Sequence, residues 1–152
     1  MRRVFSTVPC AATMGAFDPE RMLRALARRR VRYVLVGATA ARLQGFPRVT
    51  ADADIAPATD TDNLKRLASA LRDLKARVYT ESTPEGLDFS CDAETLGRSN
   101  LWNLVTDAGR LDLIFKPSGT EGYEDLDRSA LTFQVFGIEV RAASLADILR
   151  SK

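Results

Sequence analysis

The spacing of apolar residues changes several times along the chain, and each change marks an element. Met22, Leu23, Leu26 and Ala27 share one helical face, and Asp18 followed by Pro19 supplies a cap and a first-turn proline. A helix is therefore predicted from Pro19 into the arginines at 28–32. The apolar run within Val31 to Val36 then predicts a strand, running from Tyr33 to Val36 at its clearest and buried on both faces. Gly37 ends it. A short helix follows, then a loop closed by Pro47, then a second strand carrying Asp52 and Asp54. Leu64, Leu67, Leu71 and Leu74 keep helical spacing to about Lys75, with Asp60 or Thr61 as the cap.

Beyond Ala76 the pattern weakens. Arg77 to Thr80 reads as a strand, Ser82 to Gly86 as a turn and Asp92 to Leu96 as a short helix. Leu101 to Thr106 and Arg110 to Phe115 read as paired strands, joined through Asp107, Ala108 and a glycine placed for positive φ. Lys116 to Thr120 is a loop and Tyr123 to Ser129 a short helix. Leu131 to Phe136 and Ile138 to Ala142 make a hairpin about Gly137. Ser144 caps a last helix, with Asp147 at the capping-box position. That helix is short for a terminal element, so a further segment is expected beyond Lys152. No repeat or linker divides the chain: residues 1–15 read as a loose tail and 16–152 as one domain.

Composition sharpens this picture mainly by exclusion. With 45% hydrophobic and 28% charged residues, the chain is not a disordered one. It contains no histidine, which removes Ser-His-Asp, Cys-His and histidine-zinc chemistry. Cys10 and Cys91 are the only cysteines, and the arginine-led first stretch is too short and polar for a signal peptide or a membrane span. Reduced thiols and a cytoplasmic location are expected, with no membrane partner. The net charge of +2 announces no nucleic acid, although Arg28, Arg29, Arg30 and Arg32 form a local basic cluster. Taken alone, that cluster suits a helix C-terminus.

Three carboxylates carry the candidate chemistry. Residues two apart on a strand share a face, so Asp52 and Asp54 project together and call for a cation. Asp112 lies between Leu111 and Leu113, where an unpaired charge is costly. If the two strands are neighbours, the acids form an open cage for one or two Mg²⁺ ions, with Mn²⁺ as a substitute. Such ions clamp the phosphates of an NTP substrate. Gly37 would open a turn whose Ala38 and Thr39 N–H groups meet those phosphates, and Arg48 could reach them from its loop. The competing reading of Asp112 is an ion pair with Arg110 or Arg48. Lys116 reads as solvated, and Trp102 as core ahead of a base-stacking platform.

The stretch VLVGATAARLQGFPRVTADADIAP, with GRLDLIF, GTEGYEDL and SLADILRSK downstream, resembles the minimal nucleotidyltransferases of the DNA polymerase beta superfamily. Within it, the likeness is to the AbiEii-like and MenT-type toxins of bacterial toxin–antitoxin systems. The resemblance implies an α/β (α+β) fold, a mixed sheet flanked by helices, and Mg²⁺-dependent transfer of nucleotides from an NTP. The acceptor it implies is the 3′ end of tRNA, with aminoacylation and translation blocked, and the implied protein partner is a cognate antitoxin. By position, Asp52, Asp54 and Asp112 would be metal ligands and catalytic acids, and Lys152 the catalytic basic residue. Gly37, Ala38, Thr39 and Arg48 would bind nucleotide. Ala38 departs from the Gly or Ser usual there, and relatives continue beyond the lysine. Thr50, and Thr39 second, are candidate sites for silencing phosphorylation, because a phosphate there would compete with NTP; intact mass after coexpression with the partner would test it. Two alternatives stay open: transfer to a protein hydroxyl, and an inactive nucleotide-binding or interaction module.

Overall fold

A computed structural model describes residues 17–45 and 52–151. The expectations at residues 1–16, Arg48, Thr50 and Lys152 lie outside the described residues. Helix α1 spans Pro19–Arg28 and is capped by Asp18, whose carboxylate accepts from the Arg21 N–H at 3.1 Å. Strand β1 (Tyr33–Leu35) leads into α2 (Gly37–Leu43), and β2 (Asp52–Pro57) into α3 (Thr61–Asp73). Of the two caps proposed for α3, Asp60 is the one used, accepting from Asn63 N at 3.1 Å. Next come β3 (Arg77–Val78), α4 (Ala93–Leu96), β4 (Leu101–Thr106) and β5 (Gly109–Ile114). Helix α5 (Tyr123–Arg128), the hairpin β6 (Leu131–Val135) and β7 (Ile138–Ala142), and α6 (Leu145–Arg150) complete the described chain.

The seven strands form one mixed sheet in the order β3-β4-β5-β2-β1-β7-β6. The pairs β1/β7 and β2/β5 are parallel, and the other four are antiparallel. One face carries the core: Ala53 and Ile55 of β2, Leu111 and Leu113 of β5 and Leu104 of β4 are all buried. Trp102 pairs with Leu113 across β4/β5 and so shares this face, where its indole N–H donates to the Leu96 carbonyl of α4 at 3.0 Å. Helix α4 packs on α3, and α3 on α1. Leu64, Leu67 and Leu71 of α3 and Met22, Leu23 and Leu26 of α1 bury their stripes in the same core. Trp102 is thus partly buried packing, stacked on Phe89 at 5.4 Å between ring centroids.

Several expected boundaries shift for local reasons. Phe136 belongs to the turn of the β6/β7 hairpin, because it and Gly137 both take positive φ (55° and 77°), as a two-residue primed turn requires. Thr106 pairs with Gly109, so β5 begins at the glycine and the loop is Asp107 and Ala108 alone. Strand β3 stops at Val78, short of the expected Thr80. In α6 only half a capping box forms: Ser144 accepts from Asp147 N at 3.2 Å, while the Asp147 carboxylate turns to Arg150 at 2.8 Å. No helix among the described residues is long and apolar enough to cross a membrane.

Candidate active site

The parallel pairing of β2 with β5 sets Asp52 opposite Arg110, Ala53 opposite Leu111 and Asp54 opposite Asp112. The leucine face points into the core, so the alternation of each strand turns Asp52, Asp54 and Asp112 together to the other face. Each is half-buried, and each offers a carboxylate oxygen within 4.8 Å of the other two. The two strands expected to carry the acids are therefore neighbours, in the register that makes the acids one cluster.

Without a counter-ion the cluster is strained electrostatically. Burial, followed by the charges of Asp112 and Asp52, pushes the Asp54 carboxyl up to about 7. Asp112 is also raised, first by burial and then by Asp52, with Arg110 opposing. Asp54 stands opposite Asp112 in the β2/β5 register, and the charge of Asp112 adds to burial in keeping the Asp54 carboxyl protonated. Asp112 Oδ1 is buried and accepts no hydrogen bond from any described residue. An all-carboxylate donor set with an unmet buried oxygen fits a hard divalent cation, which would displace the Asp54 proton.

Gly37 fixes the third side. Its φ is +62°, and a Cβ there would stand 2.6 Å from Asp54 Oδ2. The missing side chain is therefore space that the Asp54 carboxylate uses, in a backbone conformation that disfavours other residues. Val36 N donates to the Asp54 carbonyl at 3.0 Å, tying the turn to β2. Ala38 and Thr39 lie in the first turn of α2, and the Thr39 hydroxyl donates to the Asp52 carbonyl at 3.4 Å. Gly37, Thr39 and the acids are thus contiguous.

Other candidate residues are placed away from this cluster. Lys116 pairs with Glu121 at 3.5 Å, both exposed, as expected of a solvated lysine. In the basic cluster, Arg29 makes two hydrogen bonds to Asp73 and Arg32 bonds Asp60. The ion pair weighed for Asp112 is present in weak form, with Arg110 Nη2 at 3.8 Å from Oδ1. What sequence reading missed is that Arg110 lines the site itself, on the acid face and stacked on Tyr79 at 3.9 Å. Its signal was the two-residue spacing to Asp112; Tyr79 had none, because its place depends on the β3/β4 register.

No family model and no curated protein matches the chain. Solved structures do. A protein from Thermotoga maritima, TM1012, described as a candidate nucleotidyltransferase, aligns over 90% of this chain and 84% of its own, with TM-score 0.55 and 19% identity. The antibiotic-resistance factor ANT(2'')-Ia aligns over 86% of this chain and 65% of its own, with TM-score 0.52 and 21% identity. The chain thus spans less than two thirds of that second protein. At these identities the likeness establishes the fold, which is that of the nucleotidyltransferases.

Proposed function

We propose that this protein is a metal-dependent nucleotidyltransferase that adds nucleotides from an NTP to the 3′ end of tRNA, as the toxin of a toxin–antitoxin pair. The observation that carries the catalytic part is the register of β2 on β5, which gathers Asp52, Asp54 and Asp112 beside Gly37. Asp52, Asp54 and Asp112 would hold Mg²⁺. When bound, that ion neutralises the triphosphate and lowers the pKa of the attacking hydroxyl. The three side chains orient the acceptor in line with the α-phosphate, and one carboxylate takes the hydroxyl proton as pyrophosphate leaves. The Gly37 turn, with Ala38 and Thr39, borders the phosphates; Arg48 and Lys152 would add positive charge from outside the described residues. Arg28 and Arg30, which make no hydrogen bond through their side chains to described residues, would supply salt-sensitive contacts to RNA. The tRNA acceptor and the toxin role rest on the sequence resemblance.

The test is incubation of the protein, and of the Asp52→Ala, Asp54→Ala double variant, with total tRNA, Mg²⁺ and each labelled NTP in turn. Label on tRNA 3′ ends from the parent alone, with the variant down by about a thousandfold, is the expected outcome. Transfer to protein would select a protein hydroxyl as acceptor. Absence of transfer from every NTP would remove the enzymatic reading.

A further inference from the structure

Arg110 differs from the other well-placed arginines of this molecule. Arg29 grips Asp73 through two hydrogen bonds, Arg141 bonds Asp127 and Thr132, and Arg150 bridges Asp125 and Asp147. The Arg110 guanidinium makes no hydrogen bond to any described residue: its Nε is buried without an acceptor, and Nη2 stops 3.8 Å short of Asp112. Its Cζ lies over the Tyr79 ring, 3.9 Å from the ring centroid. Stacking of this kind fixes the plane and leaves the N–H edges free to donate. The Arg110 side chain is 37% exposed although Nε is covered, so a ligand would reach the guanidinium through its Nη groups.

Two unmet atoms therefore stand side by side. Asp112 Oδ1 accepts no hydrogen bond from a described residue, its ion pair with Arg110 being 3.8 Å long, and Arg110 Nε donates none. A cation alone would satisfy the first and repel the arginine; an anion alone would satisfy the second and repel the acids. A metal ion carrying an anionic oxygen satisfies both. The placement is enforced by the sheet, since Arg110 sits across from Asp52 on β2 and Val105 on β4.

We infer that Arg110 receives an anionic phosphate oxygen of the substrate beside the ion held by Asp52, Asp54 and Asp112, with Tyr79 as the positioning residue that presents it. This rests on the reading of the three acids as the metal and NTP site, and adds to it the residue that recognises the phosphates. Without ligand, Arg110 leans toward Asp112 as a weak counter-ion; with ligand, it turns its edge to the phosphate.

The test is calorimetric titration of the whole protein with Mn²⁺ alone, and with inorganic tripolyphosphate in Mg²⁺, a probe that carries no base. Arg110→Gln is expected to weaken tripolyphosphate about tenfold, the scale of a charge-assisted hydrogen bond. Mn²⁺ should bind this variant at least as tightly as the parent, because a neighbouring positive charge has gone. Tyr79→Leu should weaken tripolyphosphate by roughly threefold, with Mn²⁺ unchanged, and it answers the question should Arg110→Gln fail to fold. Unchanged tripolyphosphate binding in a folded Arg110→Gln variant, or parallel loss of both ligands, overturns the inference and leaves the acids as a metal site. Failure of the parent to bind Mn²⁺ overturns that reading, and the inference with it.

Discussion

Arg29 and Asp73 meet through hydrogen bonds of 2.7 and 2.9 Å, whereas Arg110 and Asp112 stop at 3.8 Å with an unpartnered atom on each side. The first pair lies in solvent and links the end of α1 to the end of α3. The second is sunk between strands, where an unmet polar atom costs more. Chemistry that could be completed is complete at the surface and incomplete in the sheet. The difference teaches where a ligand belongs. Surface pairs close on themselves, while side chains whose backbone is pinned by strand register do not close on one another and stay available to something else.

The largest expected effect short of removing the acids comes from Gly37→Ala. It forces a Cβ to within 2.6 Å of Asp54 Oδ2 in a positive-φ backbone. Stability should fall by about 1–2 kcal/mol from the backbone alone, lowering the unfolding midpoint by roughly 2–8 °C. Nucleotide transfer should fall further still, because Asp54 is displaced. A transfer assay beside a melting curve checks both, and an Ala variant with full activity would separate Gly37 from the site.

An intermediate effect concerns pH. Asp54 holds its proton to about pH 7 in the folded protein, whereas the unfolded chain releases it near 4. Between these values the native state binds more protons, so metal-free stability should decline as pH rises and stay low above 7. Asp54→Asn should flatten that decline, and Mg²⁺ should reverse it. Unfolding midpoints from pH 5 to 8, with chelator and with Mg²⁺, measure the three cases. A pH-independent parent would mean that the acids are better solvated than their burial implies.

The smallest effect belongs to the completed pair. Arg29→Ala should move the midpoint by less than about 2 °C and leave ligand binding unchanged, since an exposed ion pair contributes little and is screened by salt. A large change there would erase the contrast between surface and sheet.

Much of this was legible in the sequence. Asp18, Asp60 and Ser144 announced helix starts, and each accepts a hydrogen bond from the first turn of its helix; Asp92, read as the first residue of its helix, is the cap before it. Period-two alternation put Asp52 and Asp54 on one face, and the leucines around Asp112 put it on one face of its own strand. Such features are local, set by a few neighbouring dihedrals and a burial pattern. The end of the β6 strand was misread at Phe136, because a bulky apolar residue gives no sign that its φ is positive.

The sequence alone determined which residues are ionisable, which helix faces bury, and that histidine chemistry is absent. Whether β2 and β5 would lie side by side, parallel and in the one register that sets Asp54 against Asp112, only the tertiary structure decided. A one-residue slip would have turned one strand's acids into the core, and no local signal excludes it. Likewise Arg110 became part of the site because β4 brings β3, and with it Tyr79, to the same face. Strand order arises from how leucine faces pack against α1 and α3, a non-local outcome that periodicity along the chain does not encode.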